Sequence, residues 1–139
     1  MGRGSALCAL SITIALCAAL AGCGKKEAVG ATADATAQAF AAALEAGEYD
    51  RAAAAFDYAD DARKQFEDWD SLPSSQRELI TRKTAEQKAE ELKTLKQRLG
   101  SGVKAGQAQG GITSVTGGSG SVSIQLAARK GKWYITALW

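Results

Sequence analysis

The side chains that could carry out acid–base chemistry in this chain are carboxylates and tyrosines, because the sequence contains no histidine. A proton-transfer site of the isomerase kind needs a carboxyl group whose pKa is raised by burial, beside a hydrogen-bonding tyrosine. Asp57 and Tyr58 are adjacent, so on a helix they point about 100° apart. Tyr134 follows Trp133 in a predicted strand and faces the opposite side of the sheet. We therefore predict no catalytic residues and no enzymatic activity.

Metal and phosphate sites are the next candidates. The stretches DYADD and EDWDS concentrate carboxylates as a Ca²⁺ site would. Counted from Asp68, however, an EF-hand loop needs glycine and glutamate where this chain has Pro73 and Leu79. The GGSG at 117–120 lacks the Lys-Ser/Thr pair and the following helix of a phosphate loop. We predict a solvated acidic helix face, a hairpin turn at GGSG, and no bound metal or cofactor.

The remaining reactive group is the thiol of Cys23. Arg3 is the only charge at the start of the chain, and about 14 apolar or small residues follow from Ala6 to Ala19. This is the pattern of a secretory signal, and it is shorter than the roughly 20 residues of a membrane span. Leu20-Ala21-Gly22-Cys23 then resembles the bacterial lipobox. That resemblance implies diacylglycerol on Cys23, cleavage before it, and further acylation, for example by palmitate; an uncleaved anchor helix is the alternative.

The other cysteines and the expected location agree with this interpretation. Cys8 and Cys17 lie in the segment to be removed, so the mature chain would keep no free thiol and no disulfide. We expect a lipid-anchored protein of the bacterial cell envelope, facing the periplasm or exposed at the cell surface. Gly24 is not the aspartate that retains enterobacterial lipoproteins in the inner membrane, so the outer membrane is favoured. The predicted divisions are 1–22 signal peptide, 23–32 acylated cysteine and tether, and 33–139 one folded domain.

Charge is divided unevenly along the mature chain. Residues 27–70 carry eleven acids and three bases, and residues 71–139 carry four acids and eleven bases. We expect the acidic half to pack beside the basic half, the alternative being a basic surface for lipid, glycan or nucleic acid. No aromatic residues are interleaved with the basic run, so no nucleic-acid partner is predicted.

Apolar residues spaced three and four apart predict three helices. The first has a stripe of Ala37, Phe40, Ala41 and Leu44, with Thr32 or Asp34 as N-cap and Gly47 at its end. The second runs from Asp50, its predicted N-cap, to Trp69, with one face made of Ala52, Ala55, Phe56, Ala59, Ala62, Phe66 and Trp69. The third begins with a capping box at Ser75–Glu78, carries Ala85, Ala89, Leu92, Leu95 and Leu99, and stops at Gly100.

Alternating patterns after residue 101 predict strands. ITSV, SVSIQLAA and KWYITALW are separated by the turns GGSG and RKGK, and GVKAGQAQ is a weaker fourth candidate. The residues expected to face the core are Val122, Ile124 and Leu126, and Trp133, Ile135 and Ala137. The predicted class is α+β, with three N-terminal helices packed on a curled, cone-like C-terminal antiparallel sheet of three to four strands.

Two stretches, FAAALEAGEYDRAAAAFD and GSVSIQLAARKGKWYITAL, resemble the nuclear-transport-factor-2-like (cystatin-like) superfamily, and within it small lipoproteins of unknown function. The resemblance implies a cone of three helices and a bent sheet around a pocket that is open in some members and filled in others. If the cone is open, we expect Phe56, Trp69, Trp133 and Ile135 to line it. Packing of the tryptophans in a core is the alternative.

The predicted function is therefore a lipid-anchored binding or structural module, holding a small apolar ligand or an envelope protein partner. One alternative is a tetratricopeptide-like helical-hairpin scaffold, because LEAGEYDRAAAAF resembles one such repeat. That alternative predicts an exposed apolar stripe on the third helix, at Ala85, Ala89, Leu92 and Leu99. A carboxylate/tyrosine enzyme of the same fold is the third alternative.

Overall fold

The computed structural model describes residues 28–139, so the predicted signal peptide, Cys23 and residues 24–27 of the tether lie outside the described residues. The elements in chain order are α1 (Ala33–Ala46), α2 (Tyr49–Ala53), α3 (Tyr58–Gln65), a 3₁₀ helix (Trp69–Ser71), α4 (Ser74–Leu99), β1 (Lys104–Ala105), β2 (Ile112–Thr116), β3 (Ser121–Arg129) and β4 (Lys132–Leu138). Helices come first and a curled antiparallel sheet follows, which confirms the predicted α+β class.

Helix α1 forms as its sequence predicts. Thr32 is the N-cap, its hydroxyl accepting a hydrogen bond from the Ala35 amide at 3.1 Å. Asp34, the other candidate cap, instead accepts from the Ala108 amide at 2.6 Å. Gly47 ends the helix in the left-handed conformation, with φ 75°. The whole predicted apolar stripe is buried: Ala37, Phe40, Ala41 and Leu44.

The prediction of one helix from Asp50 to Trp69 is wrong. The chain leaves the helical conformation after α2, and Phe56 forms a parallel bridge with Ile135 of β4. The Ile135 amide donates to the Ala55 carbonyl at 2.8 Å, and the Asp57 amide donates to the Ile135 carbonyl at 3.0 Å. Pairing with the edge strand thus replaces helical hydrogen bonds, which a local periodicity cannot reveal.

The pieces of this segment also start and end differently from the prediction. Asp50 lies inside α2, whose N-cap is Glu48, whereas Asp57 caps α3 by accepting from the Asp60 amide at 3.2 Å. Phe66 is 42 % exposed because α3 ends before it and the chain becomes extended there. The other members of the predicted face are buried or half-buried: Ala52, Ala55, Phe56, Ala59, Ala62 and Trp69.

Helix α4 is the predicted third helix, with one correction at its start. Pro73 is the N-cap, and its carbonyl accepts from the Gln76 and Arg77 amides at 3.0 and 3.1 Å. The predicted capping box at Ser75–Glu78 does not form, because Ser75 already lies inside the helix. The helix stops at Gly100, which has φ 80°, as predicted.

The sheet is a meander in the order β1-β2-β3-β4, and the weak fourth candidate is β1. A bulge in β4, where Thr136 is the extra residue opposite the Gln125–Leu126 step, pairs Leu126 with Ile135 but Ile124 with Leu138. Leu138 therefore packs on the core, and the prediction that Ala137 faces it is wrong. Alternation along the strand is reliable only until an extra residue is inserted.

The outer edge of β4 is covered by two segments of the same chain. Residues 55–57 pair with Ile135, and the Trp133 amide donates to the Gly30 carbonyl at 3.0 Å. Thr36, with 0 % exposure, completes the second contact, since its hydroxyl accepts from the Gly30 amide and donates to the Trp133 carbonyl, both at 2.8 Å. An edge strand with open hydrogen-bonding groups invites pairing with other chains, and this cover prevents it.

Candidate functional site

The space between α4 and the last strands is filled by side chains. One continuous cluster of buried residues includes Leu92, Leu95, Leu99, Val115, Val122, Ile124, Leu126 and Ile135. On α4, Ala89, Leu92 and Leu99 are buried and Ala85 is half-buried, so the stripe that a helical-hairpin scaffold would expose is turned inward. A ligand site must therefore be sought at the surface of the domain.

A groove of about 590 Å³ lies where α3, α4 and the β3–β4 hairpin meet. We call it the tyrosine groove, because Tyr58 and Tyr134 both line it. Its other lining residues are Phe56, Asp57, Ala59, Arg63, Thr81, Arg129, Lys130 and Lys132. It combines aromatic and apolar walls with four cationic side chains and one carboxylate.

The groove exists because the predicted second helix is interrupted. Asp57 adopts a non-helical conformation (φ −90°, ψ 87°), which allows Asp57 and Tyr58 to line the same groove. The expectation that these two residues diverge by a helical angle is therefore wrong. Tyr134 reaches the groove because it alternates with the core-facing Trp133 and Ile135 along β4.

The Asp57 carboxylate is already committed to the fold. One oxygen accepts the α3 capping bond, and the other lies 3.3 Å from Nε of Arg129. The side chain of Asp57 is only 12 % exposed. Both oxygens thus have partners within the fold, so this carboxylate helps to hold α3 and the β3–β4 hairpin together.

The Tyr58 hydroxyl is committed as well. It donates a hydrogen bond to the Ala53 carbonyl at the end of α2. Burial, reinforced by the negative charges of Glu91 and Asp61, raises the pKa of Tyr58 above that of free tyrosine. The Tyr58 phenol is therefore uncharged where it lines the groove, and its hydrogen bond links α3 to α2.

The cations around the groove differ in what neutralises them. Arg63 pairs with Asp70, Nη2 to Oδ1 at 3.2 Å, and Arg129 pairs with Asp57. Lys130 and Lys132 are exposed, and neither takes part in an ion pair with the described residues. Within residues 28–139, the hairpin end of the groove therefore carries two lysines without an ion-pair partner.

A second groove, of about 500 Å³, lies on the other side of Arg63 and Thr81. We call it the arginine groove; it is lined by Ala59, Arg63, Trp69, Ser74, Arg77, Glu78, Thr81, Arg82 and Ala85. Its floor includes the buried Trp69. The two grooves share three lining residues and are neighbours along α4.

The four residues predicted to line a cone occupy different places. Phe56 lines the tyrosine groove, and Trp69 lines the arginine groove. Ile135 is fully buried in the core, and Trp133 packs half-buried against it while its backbone binds Gly30. The structure therefore distributes them over three environments and does not gather them around one cavity.

The sequence interpretation missed the residues that make the tyrosine groove basic, namely Arg63, Arg129, Lys130 and Lys132. Two signals could have found them. Asp57 is a preferred N-cap residue type, and its position three residues before Asp60 could have indicated that a new helix begins there. The turn RKGK concentrates three cations on two neighbouring strand ends.

Within residues 28–139, no three His, Cys, Asp or Glu side chains cluster in a way that could hold a metal ion. Over the same residues, no helix has both the length and the apolarity needed to cross a membrane. No protein-family model, curated protein or solved structure matches this chain.

Proposed function

We propose that the protein is a lipid-anchored binding module of the bacterial cell envelope, and that its ligand is a small anionic amphiphile held in the tyrosine groove. The anchor is Cys23, acylated as the lipobox-like LAGC implies. The domain is proposed to be of the nuclear-transport-factor-2-like type, with a filled cone. Its order of helices followed by an antiparallel sheet is compatible with that proposal.

The observation that carries the ligand proposal is the composition of the tyrosine groove. Phe56, Tyr58 and Tyr134 offer apolar and aromatic surface to the body of a ligand. Lys130 and Lys132, without ion pairs among the described residues, offer charge to an acidic group at the hairpin end. A ligand with both features matches the groove better than the purely apolar ligand expected for an open cone.

Binding is proposed in preference to catalysis because Asp57 and Tyr58, two groups that could move protons, have partners within the fold. The Asp57 oxygens cap α3 and pair with Arg129, and the Tyr58 hydroxyl donates to Ala53. Substituting them would disturb the fold before it changed any chemistry in the groove.

The anchor is tested by the mass of the N-terminal peptide of the membrane-bound protein. We expect it to begin at Cys23 and to carry diacylglyceryl and acyl groups. Cys23→Ala should abolish the modification, and Cys17→Ala, in the segment predicted to be removed, should leave it intact. An unmodified N-terminal peptide from the wild type contradicts the anchor.

The groove is tested with two fluorescent probes that share an aromatic body. Anilinonaphthalene sulfonate carries a negative charge and phenylnaphthylamine is neutral, so we expect the sulfonate to bind about tenfold more tightly, as one charge-assisted hydrogen bond would provide. Thr81→Trp should fill the groove and Tyr134→Ala should remove one wall, each weakening the sulfonate at least tenfold. Equal binding of the two probes contradicts the anionic ligand class.

The matched control for Tyr134→Ala is Tyr49→Ala. Tyr49 is also half-buried but belongs to α2 and does not line the tyrosine groove. Its substitution should leave probe binding unchanged. If both tyrosine variants lower the affinity for the probe equally, the loss arises from loosened packing of the domain, and the probe does not bind in the tyrosine groove.

A further inference from the structure

The chain enters the described domain beside the β3–β4 hairpin. Gly30 is fixed to Trp133 by the Trp133 amide and through the buried hydroxyl of Thr36. Trp133 directly follows Lys132, the last residue of the hairpin turn. The segment that would lead to the lipid therefore leaves the domain next to the turn.

The length of that segment limits how far the turn can lie from the anchor. Gly30 is seven positions after Cys23 in the sequence, a span of about 23 Å when the chain is fully extended. Strand β3 has nine residues and is about 30 Å long. The tether thus keeps the hairpin end of β3 within reach of a bilayer that holds Cys23, but it does not by itself set the orientation of the domain.

The turn itself is basic and conformationally unusual. Arg129 and Lys132 are paired, and the two-residue loop between them has φ 53° at Lys130 and φ 80° at Gly131. Two positive φ angles are typical of a type I′ turn, which favours Asn-Gly and costs a lysine strain at the first position. Lys130 is the one non-glycine residue with positive φ among residues 28–139. A lysine at a strained site points to a use for its charge.

We infer that this basic tip, residues 129–132, docks on the anionic lipid headgroups of the bilayer that carries the anchor. The inference rests on the proposed lipidation of Cys23. Lys130 and Lys132 supply the charge, while Arg129, whose side chain is 47 % exposed, is partly neutralised by Asp57 and Asp60. Docking orients the domain with the hairpin end of the tyrosine groove toward the headgroups and the GGSG turn away from them.

The strength of docking follows from the number of free charges. A lysine near an anionic membrane surface strengthens association about fivefold, so two lysines contribute about 25-fold. The contribution should fade at high salt, because the screening length falls from about 10 Å at 0.1 M to about 3 Å at 1 M.

The test uses the full-length lipidated protein in vesicles with a fluorescent acceptor on the headgroups. A donor dye is placed at Ala128→Cys beside the tip, or at Ser121→Cys at the other end of β3, both of which are exposed positions. In vesicles containing phosphatidylglycerol we expect higher energy transfer from position 128 than from 121. Replacing phosphatidylglycerol with phosphatidylcholine, or raising the salt to 1 M, should remove most of the difference.

The double variant Lys130→Gln, Lys132→Gln should abolish the response to phosphatidylglycerol. The matched control is Arg98→Gln, Lys104→Gln, which removes the same charge from exposed positions near the GGSG end, where β1 pairs with Thr116 and α4 stops. Equal effects of the two double variants, or no response of the wild type to phosphatidylglycerol, overturn the docking inference.

The mass of the same sample separates this inference from the proposed function. If the protein is lipidated but the energy transfer does not change with phosphatidylglycerol, the docking inference is overturned and the proposed anchor is supported. A protein without lipid on Cys23 overturns both.

Discussion

Removing the Thr36 hydroxyl should destabilise the domain far more than a surface threonine substitution would. Thr36 is fully buried and bridges two backbone groups, accepting from the Gly30 amide and donating to the Trp133 carbonyl. Thr36→Val keeps the shape and leaves both groups without a partner. Each lost hydrogen bond costs about 1 kcal/mol, and more if water cannot reach the backbone group that has lost its partner. We therefore expect the free energy of unfolding to fall by about 2 kcal/mol.

The assay is thermal unfolding followed by far-ultraviolet circular dichroism and by tryptophan fluorescence. For a domain of about 100 residues, a loss of 2 kcal/mol corresponds to a fall in Tm of about 10 °C. Thr116→Val is the control, because Thr116 lies exposed at the end of β2 and should change stability by less than about 0.5 kcal/mol. If the two variants unfold at the same temperature, the Thr36 hydroxyl does not stabilise the contact between Gly30 and β4.

Three further substitutions test local features of the fold. Lys130→Asn should raise stability by about 0.5–1 kcal/mol because asparagine tolerates the positive φ of that position, whereas Lys132→Asn should not; denaturant titrations of both variants check this. Gly117→Ala should lower the free energy of unfolding by about 1–3 kcal/mol, because its Cβ would lie 2.3 Å from the last carbonyl oxygen of α4. Gly118→Ala is the control, since its Cβ would lie 3.3 Å from the nearest atom. Equal Tm values of the two variants would contradict the prediction. Two backbone hydrogen bonds to the Glu45 carboxylate lower its pKa. The ionised carboxylate therefore stabilises the folded domain above about pH 4.5, and this stabilisation is lost as the pH falls through the lowered pKa. Glu45→Gln should flatten the decline of Tm between about pH 5 and 3, and an unchanged decline refutes this.

Local sequence signals predicted the elements that depend on local interactions. Thr32 and Gly47 bound α1 because their effects act within one helical turn. The alternation of Val122, Ile124 and Leu126 correctly placed these residues in the core. The GGSG turn and the stop at Gly100 are equally local, and both are present in the structure.

The errors arose where distant residues pair. Asp57 is a residue type that can begin a new helix, but nothing near Phe56 in the sequence identifies Ile135 as the residue whose backbone pairs there. The tyrosine groove depends on that pairing, so its basic residues could not be brought together from periodicity alone. The bulge that exchanges Ala137 for Leu138 is likewise a property of two paired strands.

The most direct test of the proposed function is to map the bound probe on the protein by backbone amide chemical shifts. Titration with anilinonaphthalene sulfonate should perturb the amides of 56–59, Thr81 and 129–134, which border the tyrosine groove. The core residues Leu92, Val115 and Ile124 should be unaffected. Perturbations centred on those core residues would place the ligand in an interior cavity and contradict the account.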